Sequence, residues 1–303
     1  MFNKHPKGLI AAALANLGER FGFYTMMAIL VLFLQAKFGM NGKEAGFIYS
    51  TFYFSIYILA LVGGIIADKT RNYKGTIFTG IVLMAVGYLL LAIPSKTPVD
   101  NKMLYLVITC ASLFVIAFGN GLFKGNLQAL VGQMYDNPQY ANMRDSGFSL
   151  FYMFINIGAI FAPFAAVGVR NWWLSTFGYN YDADLPALCH GQLAGTLSPE
   201  ATETYHTLVT KASTAPVQDY TAFASDYLNV FTTGFHYAFG VAIIAMAISL
   251  TIYWLNKKNF PDPSKKTVAS SASSTVVEMS AQEVKQRMYA LFAVFGVVIF
   301  FWF

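Results

Sequence analysis

Charged residues are scarce in this chain of 303 residues: they make up 12% of it, against about 25% in soluble domains. Hydrophobic residues make up 56% and aromatic residues 17%, which is more apolar surface than one water-soluble core can hide. The composition therefore excludes an ordinary soluble protein and predicts a chain that faces lipid. The net charge of +5 comes without any base-reading or phosphate-tracking pattern, so we predict no nucleic-acid partner.

Reactive and metal-binding side chains are also sparse. The two cysteines, Cys110 and Cys189, form neither a disulfide framework nor a metal set. The four histidines lack the spacing of a metal site, and we expect them at chain ends or in loops: His5, His190, His206 and His236. Since no nucleophile motif occurs either, we predict no enzyme, no catalytic residue, no cofactor and no metal.

The sequence contains long apolar runs with few charged residues. Each has roughly 20 residues or more, enough to cross a hydrocarbon core about 30 Å thick as a helix. Six are complete: 9–36, 46–67, 75–94, 103–123 (extending toward 134), 148–169 and 233–255. A seventh begins near Met288 and continues to Phe303, so we expect the chain to be the front part of a longer protein.

This pattern predicts an all-α membrane protein in three parts. Residues 1–256 form an N-terminal six-helix bundle, 257–287 a cytoplasmic linker, and 288–303 the start of a C-terminal bundle. Within the first part, 172–231 is a long outside loop in which "LSPEATETYHTLVTKA" predicts a helix capped by Ser198. The later stretch "VQDYTAFASDYLNVF" predicts a second helix, which completes a small hairpin over the outer face.

Basic residues predict the orientation. With a cytoplasmic amino terminus, twelve lysines and arginines lie in the inside segments and six in the outside segments. This excess places both ends of the six-span unit inside the cell. We therefore expect a multi-pass protein of the cell (inner) membrane.

Three ionisable side chains lie deep in the apolar spans, where each costs about 2.5–3.5 kcal/mol on insertion scales. They are Glu19 and Arg20 in "ANLGERFGFY" and Lys124 in "GLFKGN". Such residues normally face a bundle interior or a watery cavity and have a partner. Because neighbours in a helix point to different sides, we expect Glu19 to contact Lys124 and not Arg20. A buried ion pair that only fixes helix packing is the alternative.

Other uncharged features mark the same spans. Tyr57 and Asn156 lie amid apolar residues, and on chemistry alone each fits a packing contact as well as a substrate contact. Gly121 and Gly125 form a GxxxG pattern, which favours the close approach of another helix.

The loop between spans two and three, "GGIIADKTRNYKG", resembles the loop signature of the major facilitator superfamily: glycine and aspartate followed by basic residues. In that superfamily the aspartate sits at a helix start and links neighbouring helices in one conformational state. The resemblance makes this a conformational-switch loop, with Asp68, Lys69 and Lys74 as its residues.

Four stretches together resemble the proton-coupled oligopeptide transporter (POT, or PTR) family of that superfamily: "GERFGFY", "GLFKGN", "FSLFYMFINIGAIFAP" and "FAVFGVVIFFWF". They agree with the family in order, in spacing and in the span that carries each, over the whole chain except 172–231. The resemblance implies a major facilitator superfamily fold and a symporter that imports di- and tripeptides with protons by alternating access. Its partners would be the peptide, protons, the lipid bilayer and a C-terminal helical bundle.

The family's E-x-x-E-R-F motif falls on Asn16, Glu19, Arg20 and Phe21, so the first glutamate is replaced by Asn16. The resemblance implies that Glu19, Arg20 and Lys124 couple proton movement to transport. It implies as substrate-binding residues Arg20, Tyr24, Tyr57, Lys124 and Asn156. Two other functions fit the same residues: a carrier of this fold for another small anion or amine, and a non-transporting sensor that uses 172–231.

Overall fold

Helices account for nearly all of the regular structure in residues 4–261 and 280–302, which this computed structural model describes. The chain divides into two units, Met1–Asp262 and Pro263–Phe303. Of the α-helices in the described residues, the first unit contains eight and the second contains one. In chain order they are α1 (Gly8–Phe38), α2 (Gly42–Thr70), α3 (Tyr73–Ala92), α4 (Lys102–Met134), α5 (Arg144–Thr176), α6 (Leu185–Ala194), α7 (Pro199–Ala212), α8 (Tyr220–Leu255) and α9 (Ala281–Trp302).

Six of these helices, α1 to α5 and α8, are long and apolar enough to cross a membrane, which confirms the six predicted spans. Glycine and capping residues make the turn from α1 to α2 tight. At the turn from α1 to α2, Gly39 adopts a left-handed φ of 60°. The Asn41 side chain then accepts a hydrogen bond of 3.0 Å from the Glu44 backbone, and the Glu44 carboxylate accepts one of 3.0 Å from the Asn41 backbone. This capping box starts α2 at Gly42, three residues after Gly39.

The bundle is built around α1. This helix packs against α5 and α8, while α3 packs against α4 and α8, and α2 packs mainly against α4. The apolar window of α1 is 61% buried among the described residues, whereas that of α2 is only 22% buried. α2 therefore leaves most of its surface for lipid or for another part of the protein.

Glycines let two helices approach α4 closely. A Cβ on Gly121 or on its neighbour Gly63 in α2 would collide with the facing backbone. On the other side of α4, a Cβ on Gly80 of α3 would stand 2.7 Å from the carbonyl oxygen of Gly119. The predicted GxxxG pair is half wrong, because a Cβ on Gly125 would meet no described atom within 4 Å.

The segment between α5 and α8 is more helical than the sequence predicted. Helix α7 and its cap are confirmed, since the Ala201 backbone donates to the Ser198 hydroxyl at 3.2 Å. Helix α6, which was not predicted, ends at Ala194 and is followed by Gly195, which has a left-handed φ of 67°. It packs against α8, α7 and the end of α1.

The predicted second helix of the outer hairpin is wrong as a separate element, because it is the first part of α8. This helix begins at Tyr220, where the Asp219 carboxylate accepts two backbone hydrogen bonds of 2.9 Å. No glycine or proline interrupts the chain before residue 234, and the rings of Phe223, Tyr227 and Phe231 pack one after another at helical spacing. The helix therefore continues into the span without a break.

Most of the predicted linker, residues 262–279, lies outside the described residues. Its last residues are helical, because α9 begins at Ala281, seven residues before the predicted start of the seventh span at Met288. The division of the chain at 256 and 287 stays a prediction.

Candidate functional site

The two charges in α1 form one buried ion pair. Glu19 is fully buried and Arg20 is 5% exposed. The guanidinium donates twice to the carboxylate, from Nε to Oε2 at 2.5 Å and from Nη2 to Oε1 at 2.7 Å. From α4, the Asn120 amide donates to Oε1 at 2.7 Å. The carboxylate thus has three charge-assisted hydrogen bonds, two within α1 and one that joins α1 to α4.

The prediction that Glu19 and Arg20 do not pair is wrong. Helical spacing separates the Cβ atoms of adjacent residues, but an arginine side chain is long enough to return its planar end to a neighbouring carboxylate. The two side chains therefore need no third residue to neutralise their charges.

The predicted contact between Glu19 and Lys124 is also wrong: in the described part of the chain, the Glu19 and Arg20 pair is the one ion pair within 4 Å. Lys124 is half-buried, and its Nζ lies 5.5 Å from the centre of the Tyr57 ring in α2. A cation over an aromatic face is attracted by the ring's quadrupole, more weakly than by a carboxylate. Lys124 can therefore still attract an anion.

Around Lys124 lies a strip of exposed and half-buried aromatic and amide side chains, which we call the polar strip. It is formed by Tyr53, Tyr57, Lys124, Gln128, Tyr152 and Asn156, from α2, α4 and α5. The Tyr57 hydroxyl donates to the Tyr53 hydroxyl at 3.1 Å, and the Gln128 amide lies 3.4 Å from the Tyr152 hydroxyl. Asn156 is exposed one turn after Tyr152. The structure thus brings Lys124, Tyr57 and Asn156 to one accessible face.

Arg20 connects the buried pair to its surroundings in α1. Its Cζ lies 4.9 Å from the centre of the Phe23 ring, which packs edge-on against Tyr24. Tyr24 is half-buried one turn after Arg20, and Asn16 is buried one turn before it. One face of α1 therefore carries Asn16, Arg20 and Tyr24 in a line, because residues four apart lie on the same side of a helix.

The loop after α2 differs from the arrangement that the resemblance implied. Asp68 lies in the last turn of α2, not at a helix start, and its carboxylate accepts a hydrogen bond from the Tyr73 hydroxyl at the beginning of α3. Lys69 is exposed and Lys74 is half-buried. Within the described residues Asp68 therefore links α2 to α3.

Two residues beside the ion pair were missed by sequence reasoning. Asn120 precedes Lys124 by one helical turn, so spacing alone could have placed it on the same side of α4. The hydroxyl of Tyr88 in α3 is buried without a hydrogen-bond partner among the described residues, as is the Oδ1 atom of Asn120. Tyr88 lies amid apolar residues of its span, as Tyr57 does, and this signal could have been used.

Three further polar residues are buried near the opposite ends of the helices from the Asp68 loop. Lys37 and Arg170, which were predicted in outside segments, lie within α1 and α5 and are only 2% and 3% exposed. The Arg170 guanidinium lies 3.6 Å from the centre of the Tyr181 ring. His236, predicted at a chain end or in a loop, lies within α8, sixteen residues after its first residue Tyr220.

Comparison with known proteins agrees with this architecture. The family model described as the POT family matches residues 74–297. The chain is 34% identical over 185 residues to the peptide transporter YePEPT of Yersinia enterocolitica, and 34% identical over 179 residues to the dipeptide and tripeptide permease A of an Enterobacter species. These alignments cover 59% and 58% of this chain but only 34% and 32% of the relatives, so the chain matches about a third of their length.

Among solved structures, the peptide transporter POT in complex with sulfate superposes with a TM-score of 0.56 at 26% identity. The match covers 97% of this chain and 45% of that one. The family model matches more than half of the chain, and the solved peptide transporter shares its fold. The chain belongs to the POT family, has the fold of the major facilitator superfamily and is a multi-pass membrane protein.

Proposed function

We propose that the whole protein is a proton-coupled symporter that imports di- and tripeptides by alternating access. The names of its relatives, a peptide transporter and a dipeptide and tripeptide permease, support this substrate class. We assign residues 1–256 to the N-terminal bundle, 257–287 to the cytoplasmic linker and 288–303 to the start of a C-terminal bundle. That second bundle is the partner we propose for the polar strip.

The observation that carries this proposal is the buried pair of Glu19 and Arg20 beside the accessible Lys124. Protonation of Glu19 removes the negative charge that holds the guanidinium, and Arg20 then gains freedom to bind a substrate carboxylate. A proton and a peptide would thereby favour the same state of the carrier, which is the requirement for coupling by population shift. We propose Glu19, Arg20 and Lys124 as the proton-coupling residues.

Peptides are zwitterions, so a site that accepts many side chains should recognise their charged ends and backbone. Arg20 and Lys124 supply positive charge for the carboxylate end. Tyr24, Tyr57 and Asn156 supply hydroxyl and amide groups for the backbone, and acidic groups for the amino end would come from the second bundle.

We further propose that Asp68, Lys69 and Lys74 form the conformational-switch loop on the cytoplasmic side of the cell (inner) membrane. The excess of basic residues in the segments on that side supports a cytoplasmic amino terminus.

The test is uptake of a labelled dipeptide into proteoliposomes that contain the full-length protein, with and without an inward proton gradient. We expect accumulation that requires the gradient and disappears in Lys124→Ala. The matched control is Lys102→Ala, which removes an exposed lysine from the other end of the same helix. Absence of dipeptide uptake by folded protein would refute the proposed substrate, and equal uptake without the gradient would refute proton coupling.

A further inference from the structure

A cavity of about 240 Å³ lies inside the bundle at the end of α1, away from the polar strip. We call it the lateral cavity; its lining includes Lys37, Leu90, Ile93, Tyr105, Ile108 and His236, from α1, the α3 end, α4 and α8. At ~30 Å³ for each water molecule it has the volume of roughly eight waters, so one ordered water does not fill it.

Lys37 brings a buried positive charge to the lateral cavity. Its ammonium donates to the carbonyl oxygens of Ser95 and Lys96, the latter at 3.3 Å, and to the Thr97 hydroxyl at 2.8 Å. All three acceptors are neutral, and no carboxylate of the described residues lies within 4 Å of Nζ. A buried cation without a counter-ion is costly, so the lateral cavity is electrostatically complementary to an anion.

His236 adds an unpaired acceptor. Its Nδ1 lies 2.6 Å from the carbonyl oxygen of Leu91, and because a carbonyl only accepts, Nδ1 carries the proton. The Nε2 atom of the neutral ring is then an acceptor, and it has no partner among the described residues although the side chain is only 4% exposed. Buried polar atoms are rarely left unpaired, so Nε2 calls for a donor. A hydroxyl fits better than an ammonium, which Lys37 would repel.

The mouth of the lateral cavity faces the apolar belt of the protein. Leu90, Ile93 and Ile108 are 40%, 55% and 41% exposed, and exposed apolar residues continue beside them along α3 and α4. With 31 residues, α1 is about 46 Å long, close to the full bilayer thickness of about 40–45 Å with headgroups. Lys37, one residue before the end of α1, therefore lies at the level of the lipid headgroups.

We propose that the lateral cavity binds an anionic phospholipid whose headgroup carries hydroxyl groups, with phosphatidylglycerol as the simplest example. The phosphate lies near Lys37 and replaces its longest hydrogen bond, the one to Lys96. A headgroup hydroxyl donates to Nε2 of His236, and the lipid's apolar part lies along Leu90, Ile93 and Ile108.

The test is native mass spectrometry of the full-length protein released from nanodiscs of phosphatidylglycerol, phosphatidylethanolamine or phosphatidylcholine with identical acyl chains. We expect one retained phosphatidylglycerol and no comparable retention of the other two. Lys37→Gln keeps a donor for the loop carbonyls but removes the charge, and retention should fall about fivefold, the effect of one basic residue at an anionic surface. Its control is Lys96→Gln, which removes an exposed ammonium beside the lateral cavity.

A second pair of variants tests the mouth without touching a polar contact. Ile108→Trp should block entry and abolish retention, while Val107→Trp, at an exposed neighbour outside the lining, should not. Equal retention of all three lipids, retention of none, or retention unchanged in Ile108→Trp would overturn the proposal. Melting temperatures in lipid-free detergent identify any variant that has lost its fold.

Discussion

At the residue scale, the ion pair of Glu19 and Arg20 differs from a bridge between helices. Both charges belong to α1, so the pair can open without releasing one helix from another. Among the described residues, the hydrogen bond from Asn120 to the same carboxylate is what joins the pair to α4. Loss of the negative charge would therefore weaken both the hold on Arg20 and the link between α1 and α4.

We predict that Glu19→Gln abolishes proton-driven dipeptide accumulation but preserves counterflow exchange. The amide is close to the carboxylate in shape and cannot cycle between charged and neutral forms. Both activities are measured in the same proteoliposomes, with Asp136→Asn, an exposed carboxylate near the end of α4, as the control. Loss of exchange as well would mean that Glu19 is structural or binds the substrate.

We predict that Asn120→Ala lowers the free energy of unfolding by about 1.5–3 kcal/mol, the usual contribution of a hydrogen bond to a charged group. Asn156→Ala, which removes an exposed amide from the polar strip, should leave that free energy nearly unchanged. Thermal unfolding of the full-length protein in detergent measures both. An equal loss of stability in the two variants would show that the bond from Asn120 to Glu19 contributes nothing specific.

The sequence could identify Glu19, Arg20 and Lys124, because charge inside an apolar run is conspicuous. It could not identify their partners, since contacts depend on where long side chains end and not on where they begin. Lys37 and Arg170 were placed outside because α1 and α5 extend beyond the predicted spans 9–36 and 148–169, to Phe38 and Thr176. His236 lies inside the predicted span 233–255, close to its predicted start, so the expectation that it lies at a chain end or in a loop did not follow from that span.

At the element scale, two glycines of α4 lie in different surroundings: Gly121 packs against α2, whereas Gly125 faces open space within the described part of the chain. Gly121→Ala should destabilise the protein by about 1–3 kcal/mol, because the added methyl group meets the backbone of α2. Gly125→Ala, one turn later on the same helix, should be neutral or stabilise by about 0.4–1 kcal/mol through the unfolded state. The measurement is again thermal unfolding, and a larger loss in Gly125→Ala than in Gly121→Ala would contradict the observed packing.

Helix α6 holds a pH-sensitive contact outside the membrane spans. Its His190 lies with Nε2 2.8 Å from the carbonyl oxygen of Ala36, so α6 is joined to the end of α1. Burial lowers the pKa of His190, and the nearby Lys102 ammonium lowers it further. A protonated ring still donates to the Ala36 carbonyl, but burial and Lys102 disfavour its charge, so the unfolded state takes up the proton more readily. The packing of α6 against α1 is therefore most stable above the ordinary pKa of about 6.5 and loses stability as the pH falls below it.

We therefore predict faster amide hydrogen exchange in Leu185–Ala194 at about pH 5.5 than at about pH 7.5, after correction for the intrinsic rates. His190→Gln keeps a donor for Ala36 but has no proton to gain, so it should remove the difference. Persistence of the difference in His190→Gln would assign it to another group.

Among the helices between α5 and the end of the chain's sixth span, α7 could be predicted because its capping residue is clear. Ser198 marked the start of α7, and the structure confirms it as the capping residue. The start of α8 was missed because an amphipathic aromatic stretch runs into an apolar one without a glycine or proline, so two patterns form one helix. Helix α6 has a proline near its start and a glycine after its end, which are signals that could have been used.

At the scale of the whole molecule, the membrane-spanning helices differ in how much of their surface is buried. α1 is enclosed by its neighbours, whereas α2 and α5 bury only 22% and 28% of their apolar windows. The polar strip lies on these less buried helices and on α4, and its tyrosines and amides are poorly suited to lipid. This distribution supports the proposal that a second bundle, and not lipid, faces the strip.

The orientation of the bundle is the last property that the charges predict. An even number of spans puts the residues before α1 and after α8 on one side, and the helices α6 and α7 on the other. From the twelve to six excess of basic residues that the sequence predicts, we propose that the first side is cytoplasmic. Reversal would place that excess outside, against the bias that governs insertion.

We predict that Lys211→Cys, at the end of α7, reacts with a membrane-impermeant maleimide in intact cells, whereas Lys257→Cys reacts only after the membrane is opened. Both are made in a Cys110→Ala background, in which Cys189 is fully buried and burial raises the pKa of its thiol to about 12, so it stays unreactive. The reverse labelling pattern would show that the excess of basic residues lies outside. It would also move the Asp68 loop to the outer face, where it could not act as a cytoplasmic switch, while the contacts within the bundle would stand unchanged.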